Sequence, residues 1–554
     1  MKLETHLKYW VILLIFLTII SSVLEILALA SLVPLLEFIL EPTKNEYISF
    51  DGANNFMPDF EINDYIFFLC FLFVLKATIQ TLLGFLNVRF SFTARFFFSK
   101  LLLTNYLFSN FSKIKNVNSS EILRNIIGEV ATLANGVFMP ILWIISEIIF
   151  LVLLISVVIY FNGYAILLAF LFLILLFIII YFALKDKLSN WGSKRQYYDK
   201  HAIQYTQEAI SSITDAKLNS LQKFFVERFS KPSYLSIKYN SFHLFIGIMP
   251  RIILETTVIL FFLGTAYLIY TKTLNIDFKL LGLLFVSSFR VLPSINRLIV
   301  NFQQMNFYSA SLNVVYKELL KIKLKNDNIT SKKEIKKINL INLKNISFKY
   351  SKNSNYIFKK FNLIMKAGES IGIHGSSGTG KSTLINIVLG LYDLQNGKVL
   401  VNNFDLAGNE SQFWQKVSYV PQKTFLIDDT LRSNIIISES EKAFKKDKFK
   451  QIIQISNSRS FIKRLKNGFE TLIGEDGSFL SGGQRQRIGI ARALYKDADV
   501  YIFDEITSSM DDKMAVKIIN NIMREYSDKI LIFVSHNQNI IKNCSKQILI
   551  DNIN

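Results

Sequence analysis

Six long apolar stretches in the first 300 residues constrain the fold of this chain more than any other feature. Each is long enough to cross a bilayer as a helix, which takes about 20 residues. A single stretch would also suit a buried core helix, but six together predict an α-helical polytopic membrane domain. They cover residues 9–36, 65–88, 136–160, 164–184, 242–270 and 280–300.

Composition indicates a second, soluble part. Hydrophobic residues make up 51% of the 554-residue chain, yet charged residues still make up 19%. A chain of this length exceeds one compact domain. The formal net charge of +20 raises the alternative of nucleic-acid binding. No basic face interleaved with aromatic residues accompanies that charge, so we expect no nucleic-acid partner.

Loop charges predict the orientation in the membrane. The loop at 41–64 carries six acidic residues and one lysine, whereas 185–240 carries ten basic and five acidic residues. Because cytoplasmic loops are enriched in Lys and Arg, 185–240 is expected inside and 41–64 outside. Both termini are then cytoplasmic. The inner connections at 89–135 and 185–240 are predicted to be helical extensions of the spans.

The chain divides into three predicted parts. Residues 1–320 form the six-helix membrane domain, and the basic, Asn-rich stretch 321–337 is a linker at the anionic inner leaflet. Residues 338–554 alternate short strand-like and helical runs, which predicts a cytoplasmic α/β nucleotide-binding domain. Its clearest predicted strands are 370–374, 417–420, 500–503 and 530–534.

A phosphate-loop pattern, G-x-x-x-x-G-K-[ST], follows the first of these strands. Glycines let backbone N–H groups curl around a phosphate, Lys381 reaches the β- and γ-phosphates, and the Ser382 hydroxyl can bind Mg²⁺. An ordinary Gly-rich turn is the alternative. The residues expected to contact the nucleotide are Gly375, Ser376, Ser377, Gly378, Thr379, Gly380, Lys381, Ser382 and Thr383.

Two carboxylates follow directly after the apolar strand predicted at 500–503. Asp504 is predicted to hold Mg²⁺ through water, and Glu505 is predicted to be the general base for the attacking water. Either residue alone would also suit a helix cap. Behind a buried strand and a phosphate loop, the pair favours ATP hydrolysis.

The segment Leu480-Ser-Gly-Gly-Gln484 resembles, residue for residue, the signature motif of ATP-binding cassette (ABC) proteins. The resemblance implies that this motif closes over ATP held by another copy of the domain, and hence a homodimer. It also implies roles for four residues outside the motif. These are Tyr350 (stacking on adenine), Gln422 (catalysis and metal), Asp511 (nucleotide) and His536 (catalysis), beside the motif's own Ser481, Gly482, Gly483 and Gln484.

The segment around Gly474-Glu475 resembles its counterpart in exporter-type ABC transporters, as does the fusion of one membrane domain to one nucleotide domain. This resemblance implies a half-transporter that couples ATP hydrolysis to transport.

Charged residues inside the predicted spans are costly and therefore of interest as cargo contacts. We predict that Lys76, Arg251, Arg290 and Arg297 line a cationic track suited to a diphosphate headgroup. The alternatives are that Arg251 pairs with Glu255 one turn away, and that Arg297 extends towards a membrane surface.

Segments 118–130 and 290–297 resemble those of the bacterial lipid-linked oligosaccharide flippases of the PglK type. This implies transport of an undecaprenyl-diphosphate-linked glycan across a bacterial inner membrane, in contact with membrane lipids. Two alternatives stay open: an exporter of another lipid, a drug or a peptide, and a membrane-anchored ABC ATPase that acts on nucleic acid.

Overall fold

In the computed structural model the chain divides into two compact units, a helical unit of residues 1–109 and 116–325 and a mixed unit of residues 110–115 and 326–554. The boundaries predicted from the sequence stay a prediction, since most of the linker at 321–337 lies outside the described part. The structure describes residues 2–32, 35, 47–48, 60–109, 111–115, 117–160, 164–271, 278–323, 335–351, 354–437, 444–507 and 509–551.

Long helices form the helical unit, because an apolar segment away from water can satisfy its backbone groups only internally. Helix α4 is continuous through five segments, Ser119–Leu123, Arg124–Glu129, Val130–Leu133, Ala134–Phe138 and Met139–Tyr160, of which the second and fourth are π-helical. The other helices are α1 (Lys2–Ala30), α2 (Ile62–Phe108), α3 (Phe111–Ile114, in the mixed unit), α5 (Tyr164–Ser211), α6 (Ile213–Leu218), α7 (Gln222–Tyr270) and α8 (Phe278–Lys323). Strands β1 (Tyr47–Ile48) and β2 (Phe60–Glu61) pair antiparallel between α1 and α2.

Four helical stretches among the described residues are long and apolar enough to cross a membrane: Lys8–Ala30, Ile62–Phe108, Ser119–Ile159 and Gln222–Gly264. They correspond to the first, second, third and fifth predicted spans. The fourth and sixth fall within α5 and α8, where many side chains lie outside the described part. Helices α2, α5, α7 and α8 are 46 to 49 residues long, which is well beyond the length needed to cross a bilayer.

Helices α5 and α8 approach each other most closely at Gly192. A Cβ atom built on Gly192 would lie 1.8 Å from the carbonyl oxygen of Phe307. The Phe307 ring is fully buried and stacks on His243 of α7 with ring centres 4.0 Å apart. The Arg195 guanidinium lies 5.6 Å from the centre of the same ring. A glycine at position 192 therefore determines how closely α5 packs on α8.

The described residues of the mixed unit form two sheets. Their strands are β3 (Leu340–Phe348), β4 (Phe358–Lys366), β5 (Ser370–His374), β6 (Asn396–Val401), β7 (Phe404–Asp405), β8 (Val417–Val420), β9 (Val500–Asp504), β10 (Ile530–Val534) and β11 (Lys546–Leu549). The antiparallel sheet has the order β4-β3-β6-β7 and the parallel sheet has the order β11-β5-β10-β9-β8. The four strands predicted from the sequence are confirmed in the parallel sheet.

Helices cover the parallel sheet and create two apolar cores. The helices are α9 (Lys381–Val388), α10 (Glu410–Gln415), α11 (Leu431–Ile435), α12 (Lys446–Ile455), α13 (Arg459–Ile462), α14 (Gly482–Tyr495), α15 (Asp512–Glu525) and α16 (Gln538–Lys542). One core lies against α9 and the antiparallel sheet, and includes Ile371, Ile385 and Ile502. The other lies against α14 and α15, and includes Ile488, Phe503 and Ile519. Burial on both faces explains why β9 and β10 are continuous apolar runs.

The contact at Gly192 leads to a stability prediction. We expect Gly192→Ala to lower the thermal unfolding midpoint of the purified protein in detergent, because the new methyl group would overlap a backbone carbonyl that cannot turn away. Gly84→Ala in α2 is the matched control, since a Cβ at that position meets no heavy atom within 4 Å. Equal midpoints for the two variants would contradict the proposed close packing of α5 on α8.

Candidate functional site

The phosphate-loop residues connect β5 to α9 in a conformation that glycine makes accessible. Gly375 has φ +151° and Gly380 has φ +102°. A Cβ at Gly375 would lie 2.2 Å from the Ile550 carbonyl oxygen, and one at Gly380 would lie 2.6 Å from the Ile357 side chain. The buried Lys381 Nζ donates to the carbonyl oxygens of Gly375 and Ser376 at 2.9 and 2.8 Å. The loop therefore forms a backbone cradle with a cation at its base.

The order of the parallel sheet places the other predicted catalytic residues beside this cradle. The loop leaves β5, His536 follows β10, Asp504 ends β9, and Gln422 follows β8. These strands are neighbours and parallel, so their carboxyl ends lie along one edge. In open α/β sheets that edge is the usual place for a ligand.

Both oxygens of the Glu505 carboxylate are in contact with the other candidates. The Gln422 side-chain amide donates to Glu505 Oε2 at 2.7 Å, and His536 Nε2 lies 3.3 Å from Glu505 Oε1. Glu505 adopts a left-handed φ of +48°, which is unfavourable for a residue with a Cβ. Its backbone N–H donates to the Val534 carbonyl at 2.9 Å. The bond to β10 thus fixes the residue that carries the candidate base.

Asp504 is a buried carboxylate that keeps 6% of its surface exposed. Burial raises the pKa of the Asp504 carboxyl above its ordinary value, whereas the Tyr419 hydrogen bond and the charge of Lys381 act in the opposite direction. The Tyr419 hydroxyl donates to Asp504 Oδ2 at 3.1 Å. Tyr419 was not expected from the sequence, where it is one of two polar residues in the short strand Val417–Val420.

Tyr350, the expected adenine contact, lies just after β3 with 57% of its surface exposed. Its hydroxyl is 2.7 Å from the Thr383 hydroxyl at the end of the phosphate loop. Lys115, also in the mixed unit, donates to the Tyr392 hydroxyl at 2.7 Å and lies 5.8 Å from the centre of the Tyr350 ring. Lys115 and Tyr392 were not expected from the sequence, and no motif marks them.

The signature segment begins α14. The Ser481 side chain accepts a hydrogen bond from the Gln484 backbone, and the Gln484 side chain accepts one from the Ser481 backbone at 2.9 Å. This capping box stabilises the first turn of the helix. Asp511 caps α15 by accepting from the Met514 backbone at 3.0 Å. Within the described part of the chain, no hydrogen bond of Ser481 or Gln484 reaches the phosphate loop.

In the helical unit, each described member of the expected cationic track forms an ion pair. Lys76 Nζ lies 3.0 Å from Glu25, and Arg251 Nε lies 2.8 Å from Glu255. Arg297 Nε lies 2.5 Å from the buried Glu147. The Arg290 side chain is outside the described part. The pairing of Arg251 with Glu255 is the alternative considered from the sequence.

Arg251 and Arg297 line a common cavity of about 790 Å³ between α7 and α8. Its other polar lining includes Asn296, whose buried side-chain oxygen has no hydrogen-bond partner among the described residues. Much of the remaining wall is apolar, with Leu254 and Phe262 among its residues. Lys76 is not part of this lining. Of the three described residues of the predicted cationic track, Arg251 and Arg297 therefore line one cavity and Lys76 does not.

Comparison with known proteins agrees with this geometry. Residues 358–508 match the model of the ABC transporter family. The chain is 34% identical over 213 residues to the alpha-hemolysin translocation ATP-binding protein HlyB of Escherichia coli O157:H7, covering 38% of this chain and 30% of that protein. It is 29% identical over 315 residues to the ATP-dependent lipid A-core flippase of Wigglesworthia glossinidia brevipalpis, covering 56% of this chain and 49% of that protein. The matched regions therefore span only about a third to a half of these relatives' lengths.

Similarity of fold to a solved structure extends over both the helical unit and the mixed unit. The structure of a bacterial Atm1-family ABC exporter with ATP bound superposes with a TM-score of 0.76 at 17% sequence identity, covering 99% of this chain and 94% of that one. The expected architecture, a helical membrane domain followed by an α/β phosphate-loop domain, is therefore confirmed. Residues 358–508 are thus similar to the nucleotide-binding domain of ABC transporters, and the chain shares the fold of an ABC exporter.

Proposed function

We propose that this protein is an ATP-driven exporter of the flippase type, which works as a homodimer in a bacterial inner membrane with its nucleotide domains in the cytoplasm. Its proposed cargo is an undecaprenyl-diphosphate-linked oligosaccharide or a related glycan precursor. The observation that carries the proposal is the meeting of the phosphate loop, Asp504, Glu505, Gln422 and His536 at one sheet edge.

The residues at this edge fit ATP and Mg²⁺. The loop adopts positive φ angles at Gly375, Gly378 and Gly380, a conformation in which backbone N–H groups commonly bind phosphate oxygens, and the buried Lys381 ammonium provides positive charge for them. Ser382 and Gln422 would hold Mg²⁺ through side-chain oxygens, which this ion prefers, and Asp504 would hold it through water. When bound, Mg²⁺ would neutralise charge on the β- and γ-phosphate oxygens. Tyr350 is exposed and adjacent to Thr383, as a base-stacking residue beside the cradle requires.

Hydrolysis would use Glu505 as the general base. Its carboxylate takes a proton from the attacking water, and His536, 3.3 Å away, orients that carboxylate. The hydrogen bond from Gln422 occupies Glu505 Oε2 in this structure. Turning Gln422 towards the metal would release that oxygen for the water.

A second copy of the chain would complete the site. Ser481 and Gln484 bond each other and do not reach the phosphate loop of their own chain in the described part. The N-terminal turn of α14 nevertheless offers backbone N–H groups and a partial positive charge suited to a phosphate. In a homodimer, ATP held by the phosphate loop of one copy would also contact the first turn of α14 from the other copy.

The cavity at α7 and α8 supports an amphiphilic cargo. Its wall is largely apolar, and Arg251 and Arg297 are among its lining residues. Phosphate oxygens bind guanidinium with the same paired geometry as carboxylates, so a diphosphate can exchange with Glu255 or Glu147. The ion pair between Arg251 and Glu255 is exposed, and exposed ion pairs contribute little to stability. The similarity to a lipid A-core flippase agrees with a lipid cargo.

The second candidate keeps the exporter but changes the cargo to another lipid, a drug or a peptide. The ion pairs favour it, since Glu25, Glu147 and Glu255 balance the charge of the three described cations. The similarity to a hemolysin translocation protein agrees with this alternative. An ABC ATPase acting on nucleic acid gains no support from the described residues.

The role of Glu505 can be tested directly. We expect Glu505→Gln to reduce ATP hydrolysis by about 100-fold or more while ATP binding persists, because the amide cannot accept the proton of the attacking water. Glu369→Gln is the matched control, since Glu369 precedes β5 at the opposite edge of the sheet. A turnover rate for Glu505→Gln equal to that of the control would rule out Glu505 as the base.

Cargo can be tested in liposomes that contain the purified protein and a fluorescent undecaprenyl-diphosphate glycan. We expect ATP-dependent movement between leaflets, which Arg251→Gln with Arg297→Gln reduces roughly tenfold, because each change removes a charged hydrogen-bond donor. Arg228→Gln in α7 is the control, because Arg228 pairs with Glu208 outside the cavity. Undiminished movement in the double variant would favour the second candidate, and hydrolysis without movement would exclude this glycan as cargo.

The role of Lys76 can be separated from that of the cavity arginines. We expect Glu25→Gln to lower stability by about 3 kcal/mol, because it leaves the largely buried Lys76 ammonium unpaired. Adding Lys76→Met should recover much of the thermal midpoint and leave transport intact, since Lys76 does not line the cavity. Loss of transport in a stable double variant would instead assign Lys76 to the cargo path.

A further inference from the structure

Tyr419 and Asp504 share one face of the parallel sheet. Tyr419 of β8 pairs with Ile502 of β9, and side chains two residues apart on a strand point to the same side. Asp504 is therefore the diagonal neighbour of Tyr419, a position that a long aromatic side chain can reach. The hydroxyl group of Tyr419 donates to Asp504 Oδ2 at 3.1 Å.

This hydrogen bond is the only one to the Asp504 side chain within the described part of the chain. The carboxylate keeps 6% of its surface exposed, and burying a charged group without partners is costly. One oxygen is held by Tyr419, and Oδ1 has no hydrogen bond among the described residues. The buried carboxylate would otherwise be free to turn about its last side-chain torsion, which is broad.

A tyrosine suits this task for two physical reasons. Its ring is rigid and leaves few rotatable bonds, so the hydroxyl position follows from the strand itself. The hydroxyl group is also neutral, so it orients the carboxylate without cancelling the negative charge that attracts Mg²⁺. A lysine or arginine at the same place would form an ion pair and compete with the metal.

We propose that Tyr419 is a positioning residue for magnesium binding: its hydroxyl group holds Asp504 Oδ2 and so leaves Oδ1 available to the hydrated Mg²⁺ that would accompany ATP. The inference rests on the proposed function, because it concerns the Mg²⁺ that accompanies ATP. Residues that orient metal ligands commonly change metal affinity by about 10- to 100-fold when removed. Tyr419 acts through Asp504 and does not itself contact the reacting atoms.

The test uses full-length protein carrying Glu505→Gln, which suppresses hydrolysis so that binding can be measured at equilibrium. A fluorescent ATP analogue is titrated in EDTA and then with increasing Mg²⁺, with and without Tyr419→Phe. We expect the Mg²⁺ concentration that gives half of the maximal Mg²⁺-dependent increase in analogue binding to rise about tenfold in the Tyr419→Phe variant. Binding in EDTA and the thermal midpoint should change little, since the ring is retained and is 37% exposed.

Tyr501→Phe is the matched control, because Tyr501 lies on the same strand as Asp504 but its hydroxyl group donates to the Lys496 carbonyl at 2.9 Å. A Tyr419→Phe variant with the Mg²⁺ dependence of the control would overturn the inference. A loss of analogue binding in EDTA, parallel to a lower thermal midpoint, would assign Tyr419 a structural role and also overturn it. Failure of the proposed function would look different, since the protein with native Tyr419 would then bind the analogue without regard to Mg²⁺, or not at all.

Discussion

Parallel hydrogen bonding of β9 between β8 and β10 is the interaction on which the candidate site depends. The residues that follow these strands are up to 114 positions apart in the chain, from Gln422 to His536. A parallel register brings all of their carboxyl ends to one edge, beside the phosphate loop that leaves β5. A shift of one residue would turn Asp504 to the opposite face, because side chains alternate along a strand. The continuous apolar composition of β9 and β10, buried on both faces, keeps these strands central.

The same sheet also determines the backbone conformation of Glu505 and the position of its carboxylate. Glu505 leaves β9 in a left-handed conformation and is held by a backbone bond to Val534 on β10. Its carboxylate oxygens are then within reach of Gln422 and His536, which come from the strands on either side. Such local strain persists where the surrounding structure imposes it, and it is frequent at functional sites. The backbone of β10 therefore contributes to the geometry of a side chain on β9.

In the helical unit, the cost of burying charge away from water favours ion pairs between helices and along them. Lys76, Arg251 and Arg297 each lie beside a glutamate, and the glutamate partners of Lys76 and Arg297 are almost fully buried. Lone charges would be expensive at these depths, whereas close pairs reduce that cost. The arginines nevertheless face a cavity with a largely apolar wall. An amphiphile with oxyanions is the kind of molecule that could exchange with their carboxylate partners.

The sequence by itself determined the elements that depend on local pattern. Long apolar runs specify helices because a helix satisfies its backbone hydrogen bonds within a single segment. The phosphate loop, the Asp504–Glu505 pair and the Ser481–Gln484 segment are read from adjacent residues. Only the tertiary structure decided which charges pair across helices, as Glu147 does with Arg297 over 150 positions. It also revealed the Tyr419–Asp504 bond, since strand order and register arise from long-range pairing that spacing along the chain does not encode. The sequence likewise does not show why position 192 must be glycine, because the reason is the close approach of the backbone of another helix.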